Sequence, residues 1–244
     1  PLVKPYLQEG IIQLAWDHDI PVFAIANLSS TAAFAWLKSQ QFQIGIMACF
    51  PMRLPQEILG VPRFGFLNLH PSLLPAYRGP HPLFWTFRHG LQESGITLHQ
   101  VDSGLDTGDI VLQSNLFIPD GLSLKEADEL FAAQGTTLLL GALSGLAGGR
   151  LAGHAQGAGA SCYGRPSAED FLIPTAWTAK RAFNFMRGTV EWQMPYRIQG
   201  DGFELVVRSA IAFHGQGEMD APIVRQGTES WIAFKTGILH ANIW

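Results

Sequence analysis

Three short apolar runs are the feature that most constrains how this chain folds. They occupy residues 20–25, 43–49 and 64–70, with helix-like stretches between them. Their residues are almost continuously apolar rather than alternating, which is typical of strands in a parallel sheet that helices cover on both faces. The sequence therefore predicts an α/β fold.

Turn and cap residues mark the elements around and after these runs. Ser30 or Thr31 caps a helix that ends near Ser39, and residues 80–90 form a helix closed by glycine. Strands are predicted at 95–101 and 109–117. Ser123 and Glu126 fit a capping box at the start of a long helix, which runs to about Leu146.

The composition changes after this helix. Residues 153–167 are rich in Gly, Ala and Ser and are predicted to be a linker. One helix follows at about 178–187, and then come short runs with partial alternation. These runs are 196–199, 203–213, 222–226, 230–234 and 238–243. We therefore predict a first domain over 1–152 and a small β-rich, barrel-like domain over 168–244.

Composition excludes several classes of protein. Hydrophobic residues make up 47% of the 244 residues and charged residues 15%, which is typical of a globular protein rather than a disordered one. The net charge of −4 gives no basic field for nucleic acid. Two cysteines imply no disulfide framework, and no bilayer-spanning stretch or secretory signal is visible, so the cytoplasm is the expected compartment.

The densest group of polar residues follows the third apolar run. Asn68 and His70 are separated by one residue, so in an extended chain their side chains point to the same side. Both can donate a hydrogen bond to a carbonyl oxygen that gains charge. The acidic stretch 101–109 lies between two predicted strands and holds three carboxylates, and an acid from it beside His70 would orient and charge that imidazole. Packing and turn formation are the alternative roles for these residues.

Two motifs resemble one known family. The stretch 68–79 reads NLHPSLLPAYRG and the stretch 104–110 reads GLDTGDI. Together they are similar to the formyltransferases that use 10-formyltetrahydrofolate, a family that includes methionyl-tRNA formyltransferase. The similarity covers about residues 5–165. It implies a Rossmann-like, mostly parallel sheet followed by a C-terminal barrel.

The resemblance also implies site residues. Asn68 and protonated His70 would stabilise the oxyanion of an acyl transfer, and Asp106 would orient His70 and help to move the proton of the amine. No metal is implied. Leu74-Pro75 is a candidate cis peptide. His81, His89 and His99 match no catalytic position of the family, so ordinary packing or surface roles are expected. The folate co-substrate would contact two stretches: Phe50, Met52, Arg53 and Leu54, and Val101, Asp102, Ser103, Gly104 and Leu105.

The start of the chain and its charge bear on what the enzyme would formylate. The family begins with a strand and a glycine-containing turn that do not precede the first helix here, so we expect a fragment without its first strand. Initiator methionyl-tRNA is the acceptor suggested by a catalytic domain with a C-terminal barrel. Residues 167–244, however, hold seven Lys or Arg and eight Asp or Glu. The alternatives are a small amine such as an amino sugar nucleotide, hydrolysis of the formyl-folate, and a non-catalytic relative that binds folate or a partner.

Overall fold

A computed structural model of the chain describes residues 5–146, 152–217 and 219–243. Its first part contains five helices and one four-stranded sheet. The helices are α1 (Pro5–Asp17), α2 (Thr31–Ser39), α3 (Gln56–Leu59), α4 (Pro82–His89) and α5 (Leu124–Leu146), and the strands are β1 (Gly45–Ala48), β2 (Phe66–His70), β3 (Glu93–Gln100) and β4 (Ile110–Phe117). The predicted α/β class is confirmed.

The sheet has the order β1-β2-β3-β4, and its strand directions are mixed. β1 and β2 are parallel, whereas β2 with β3 and β3 with β4 are antiparallel. The expectation of a mostly parallel sheet therefore holds only for β1 and β2 among the described strands. Residues 101–109 join β3 to β4. A connection this short suits antiparallel neighbours, because a parallel crossover needs a dozen or more residues.

The two faces of this sheet differ in chemistry. Leu67 on β2 and Leu98 on β3 are fully buried, and both pack in a cluster with Ala142 of α5. Helix α5 lies close to this face, since a Cβ added to Gly135 would come within 2.7 Å of the Ile96 side chain. The residues between these apolar positions are polar and point to the opposite face. The alternation therefore leaves one apolar face for α5 and one polar face.

Residues 20–25 do not form the predicted strand. They have no strand assignment, and Ile20, Val22 and Phe23 are 55%, 41% and 58% exposed. The ring of Phe23 instead lies 4.6 Å from that of Trp36 in α2. A strand needs a neighbour for its backbone hydrogen bonds, and the described residues place none beside this run. Apolar character alone therefore did not predict its conformation.

The predicted helix ends are confirmed by their hydrogen bonds. Ser30 accepts from the N–H of Ala33 at the start of α2. Ser123 and Glu126 form the capping box before α5, with the Ser123 N–H donating to the Glu126 carboxylate at 2.8 Å. Gly90 ends α4 in the left-handed conformation, with φ 69°. These caps satisfy backbone groups that a helix end leaves unpaired.

The C-terminal part is a six-stranded sheet with one helix packed on it. The strand order is β5-β6-β7-β10-β9-β8. Its elements are a 3₁₀ turn (Ala168–Phe171), β5 (Leu172–Pro174), α6 (Ala179–Thr189), a second 3₁₀ turn (Val190–Trp192), β6 (Tyr196–Gly200), β7 (Phe203–His214), β8 (Ile223–Gln226), β9 (Glu229–Ala233) and β10 (Ile238–Ile243). The predicted helix and all five predicted strands are present. The short strand β5 was not predicted, whereas helix α3 lies in one of the helix-like stretches predicted between the apolar runs.

The two parts share a hydrophobic core. Phe84 of α4 packs against Phe171 and Phe185, with ring centroids 5.3 Å and 5.7 Å apart. Residues 153–167 hold no helix and no named strand, yet His154 exchanges two backbone hydrogen bonds of 2.9 Å with Ile110 of β4. The division into 1–152, 153–167 and 168–244 therefore stays a prediction. Among the described residues, no helix combines the length and the apolar character that crossing a bilayer requires.

Candidate active site

The polar face of the first sheet brings the predicted catalytic residues together. Asn68 and His70 lie two residues apart on β2, and Asn68 pairs with His99 of β3 in the strand register. Asp106 approaches from the connection between β3 and β4. Its Oδ1 lies 3.7 Å from Nδ1 of His70 and 3.7 Å from Nε2 of His99. Four side chains with amide, imidazole and carboxylate groups therefore surround one point.

His70 is buried, with 3% of its surface exposed. Its Nε2–H donates to the carbonyl oxygen of Tyr77 at 2.8 Å, which turns Nδ1 toward Asp106. The pKa of His70 lies below its ordinary value of 6.5, because burial outweighs the attraction of Asp106 and the hydrogen bond to Tyr77. This direction is opposite to the expectation that Asp106 keeps the imidazole charged, and it favours the neutral form of His70 near pH 7.

His99 belongs to this group, although its place in the sequence predicts only an ordinary packing or surface role. Its Nδ1–H donates to the carbonyl oxygen of Gln100 at 2.7 Å, which leaves Nε2 to accept from the amide of Asn68 at 3.1 Å. Burial lowers its pKa. Strand alternation was the signal that could have found it, since pairing β2 with β3 in this register puts His99 beside Asn68 on the polar face.

Asp106 is held from its backbone and from its carboxylate. Its φ is 55°, in the left-handed region that non-glycine residues seldom adopt. Its Oδ2 accepts from the N–H of Gly79 at 2.8 Å. The loop passes very close to β3 here, since a Cβ added to Gly108 would lie 1.9 Å from the carbonyl oxygen of Gln100. The loop thus fixes one acid beside two imidazoles.

The segment after His70 folds over the polar face. Tyr77 has a φ of 59°, and its N–H donates to the hydroxyl of Ser161 at 2.9 Å. Thr97 of β3 donates to the carbonyl of Ser72 at 2.6 Å and accepts from the N–H of Leu74 at 3.1 Å. The peptide between Leu74 and Pro75 is cis, as predicted. These contacts position the Tyr77 carbonyl that receives the His70 hydrogen bond.

Gln156 also reaches this site and was not predicted. Its side-chain amide contacts Arg78 and the carbonyl oxygens of Asp106 and Gly108. The sequence predicts only a linker over residues 153–167, and a lone glutamine in such a stretch carries no signal of a site. Residues 153–167 therefore contribute directly to the site.

The predicted folate-contacting residues lie in two loops. Residues 50–54 follow β1, and because β1 is parallel to β2 this loop leaves the sheet at the same edge as His70. Phe50 and Met52 are 39% and 55% exposed, so their side chains are open to a ligand. Arg53 is exposed as well, and Leu54 is half-buried.

The second predicted loop begins at Val101, whose N–H donates to the Phe66 carbonyl at the opposite end of β2. Ser103 is exposed, and Leu105 is half-buried next to Asp106. Asp102 closes a turn, since its Oδ1 accepts from the N–H of Gly104 and from the hydroxyl of Thr107. The hydrogen bonds of Asp102 therefore hold residues 102–107 of this loop together. Its folate contacts stay a prediction, as do those of residues 50–54.

The arrangement suits acyl transfer to an amine. The Asn68 amide has a second N–H beyond the one that reaches His99, and an amide N–H can stabilise an oxyanion. Neutral His70 can accept a proton at Nδ1, where Asp106 would stabilise the imidazolium that forms. The oxyanion-stabilising amide of Asn68 and the proton-accepting imidazole of His70 are thus both carried by strand β2.

Comparison with known proteins identifies similar chains. The profile of the family described as Formyl transferase matches residues 11–143. Methionyl-tRNA formyltransferase from Pelotomaculum thermopropionicum is 35% identical over 181 residues, which make up 74% of this chain and 58% of that protein. The chain thus spans less than two thirds of the length of the curated relatives that it matches.

Two solved structures have a similar fold. The N-formyltransferase from Helicobacter canadensis, in complex with folinic acid and dTDP-3-aminofucose, has a TM-score of 0.71 at 16% identity and covers 96% of this chain and 82% of that chain. Methionyl-tRNA formyltransferase from Clostridium thermocellum has a TM-score of 0.60 at 18% identity, with 86% of this chain and 90% of that chain covered. The likeness extends across the C-terminal sheet as well as the first one.

Proposed function

Because this chain belongs to the formyl transferase family, we propose that it transfers the formyl group of 10-formyltetrahydrofolate to the amine of methionyl-tRNA. The observation that carries the proposal is the convergence of Asn68, His70 and Asp106 on the polar face of the sheet. The acceptor is supported by relatives named methionyl-tRNA formyltransferase at 31% to 35% identity. The donor is supported by solved relatives of the same fold that hold folinic acid or 5-N-formyl-tetrahydrofolate.

The reaction begins when the amine nitrogen attacks the formyl carbon. A C–N bond forms, and the carbonyl oxygen becomes an oxyanion that the free N–H of Asn68 stabilises. His70 accepts the amine proton at Nδ1, and the carboxylate of Asp106, 3.7 Å away, stabilises the charge that this transfer creates. The bond from the formyl carbon to folate N10 then breaks, and N10 takes the proton from His70. The protein is thereby returned to its starting state.

His70 acts here first as a base, and the structure supports that order. A base must be unprotonated at the start, and burial lowers the His70 pKa. Asp106 opposes that shift, so it favours the protonated state that follows the attack. His99 remains neutral in this scheme and accepts from Asn68, which fixes the direction of the second amide N–H.

A second candidate acceptor is an amino sugar nucleotide. Residues 167–244 hold seven Lys or Arg against eight Asp or Glu, a net charge of −1 that gives no general attraction for transfer RNA. A small acceptor needs no such surface. The two candidates share the donor and the catalytic residues and differ only in the amine.

The experiment measures tetrahydrofolate release from 10-formyltetrahydrofolate with methionyl-tRNA, an amino sugar nucleotide or water alone. We expect turnover with methionyl-tRNA and its loss in His70→Ala, while folate binding measured by fluorescence persists. Asp109→Asn is the matched control, because this exposed acid lies on the same loop and outside the site. Turnover only with the amino sugar nucleotide would select the second candidate. A wild-type chain that binds folate but turns over with no amine would refute formyl transfer.

A further inference from the structure

Gln156 connects the two loops that build the candidate site. Its Nε2 donates to the carbonyl oxygens of Asp106 and Gly108, both at 2.8 Å. Its Oε1 accepts from Nη2 and Nε of Arg78, at 2.6 Å and 3.2 Å. Both amide hydrogens and the amide oxygen are therefore used. A glutamine with all of these bonds has one orientation, so it can hold the groups that it contacts.

The groups that Gln156 holds are those that set the position of Asp106. The left-handed conformation of Asp106 is costly for a residue with a side chain, so the surroundings must stabilise it. One Gln156 bond goes to the carbonyl of Asp106 itself. Arg78, the other partner, directly precedes Gly79, whose N–H donates to the Asp106 carboxylate. Gln156 thus contacts both the backbone of Asp106 and the residue next to Gly79, which together set the direction of this carboxylate toward His70.

The segment that carries Gln156 is itself anchored on either side. Two residues before Gln156, His154 exchanges two backbone hydrogen bonds with Ile110. Five residues after it, the N–H of Ser161 donates to the Pro75 carbonyl, and the Ser161 hydroxyl accepts from the N–H of Tyr77. Anchors on both sides give Gln156 a fixed place against the site. Flexible linkers lack such contacts.

We propose that Gln156 is a positioning residue that sets the geometry of Asp106 against His70 and His99. The expected effect of Gln156 on kcat depends on the proposed formyl transfer, whereas its effect on the position of Asp106 does not. The family profile ends at residue 143, so the working site extends beyond the part of the chain that the profile matches. Gln156 itself touches no reacting atom in this proposal and acts only through Asp106.

The first test is Gln156→Ala in the full chain. It removes both donors to the Asp106 loop, and a displacement of a catalytic group by about 1 Å can cost about 10²-fold in rate. We expect kcat to fall by about that factor while KM for the folate changes little. Gln134→Ala is the matched control, since Gln134 makes a side-chain hydrogen bond of 2.9 Å to Ser114, away from the site. The control should keep the wild-type kcat.

Gln156→Glu separates positioning from folding. Its carboxylate has the same shape and still accepts from Arg78, but it cannot donate to the carbonyls of Asp106 and Gly108. We expect the folded variant to have a kcat as low as that of Gln156→Ala or lower, because a carboxylate oxygen would face the two carbonyl oxygens to which the amide now donates at 2.8 Å. A Gln156→Glu variant with wild-type kcat would overturn the proposal, because the two donated bonds would then be dispensable.

The second readout needs no turnover. The imidazole of His70 is titrated by NMR in the wild type, Gln156→Ala and Asp106→Asn. Asp106 raises the His70 pKa against the effect of burial, so moving or removing that carboxylate lowers the pKa further. We expect both variants to shift the titration in this direction. An unchanged His70 titration in folded Gln156→Ala would overturn the proposal, whether or not the chain proves to be a formyltransferase.

Discussion

Replacing Asp106 with asparagine removes one charge and little else. The asparagine oxygen can still accept from the N–H of Gly79, so the loop keeps its 2.8 Å contact. The lost term is the attraction between a carboxylate and an imidazolium at His70, 3.7 Å apart. At an effective dielectric constant of about 20 this attraction is worth about 4 kcal/mol. Because every 1.36 kcal/mol is a factor of ten, kcat should fall by about 10³-fold.

The pH profile tests the reasoning behind this number. His70 must be neutral to accept a proton, so activity falls on the acid side as His70 becomes protonated. Asp106 raises the His70 pKa, and its removal lowers that pKa further. The acid limb of kcat/KM should therefore move to lower pH in Asp106→Asn. Steady-state rates of tetrahydrofolate release across the neutral and acidic range measure both effects.

Two results would contradict this account. An acid limb that moves to higher pH would mean that the carboxylate does not favour the charged imidazole. A loss of tenfold or less would mean that little charge develops on His70 during the reaction. Asp109→Asn serves as the control, because it makes the same chemical change on an exposed side chain of the same loop.

Two further predictions concern the loop and the acid range. Gly108→Ala should abolish turnover, because the added Cβ would collide with the backbone carbonyl of Gln100. Gly145→Ala is the control: its Cβ would meet no atom within 4 Å, so turnover should persist and urea unfolding should show α5 stabilised by about 0.5–1 kcal/mol. Equal turnover in the two variants would contradict this prediction. Burial lowers the pKa of His70 and His99, so the unfolded chain binds more protons as the pH falls through about 6.5. The free energy of unfolding should therefore fall with decreasing pH below 6.5, and a rise there would refute the burial argument.

The sequence predicted the elements whose signals are local. Ser123 and Glu126 stand three residues apart, so their capping box can be recognised without knowledge of the rest of the fold. Asn68 and His70 could be predicted in the same way, because alternate residues of a strand point to the same face of the sheet. Both depend on contacts between residues close in sequence. Such contacts form in any fold that contains the element.

Residues that depend on distant neighbours were missed. His99 enters the site through its pairing with Asn68, 31 residues away. Gln156 contacts Asp106 across 50 residues and Arg78 across 78. Residues 20–25 show the converse error, since their apolar character predicts burial but cannot supply a neighbouring strand. In each case the sequence did not show which distant element lies next to the residue in the fold.

The charge state of His70 shows why an adjacent acid does not decide a pKa by itself. Burial lowers the pKa of His70, whereas Asp106 and the hydrogen bond to Tyr77 raise it, and burial is the largest of these effects. Burial and Asp106 both act on the charged imidazole, since burial raises its free energy and the carboxylate of Asp106 lowers it. The site thus has a base that starts neutral and a separate group that stabilises it once charged. Because different residues supply the two effects, Asp106→Asn alters the second one and leaves the first in place.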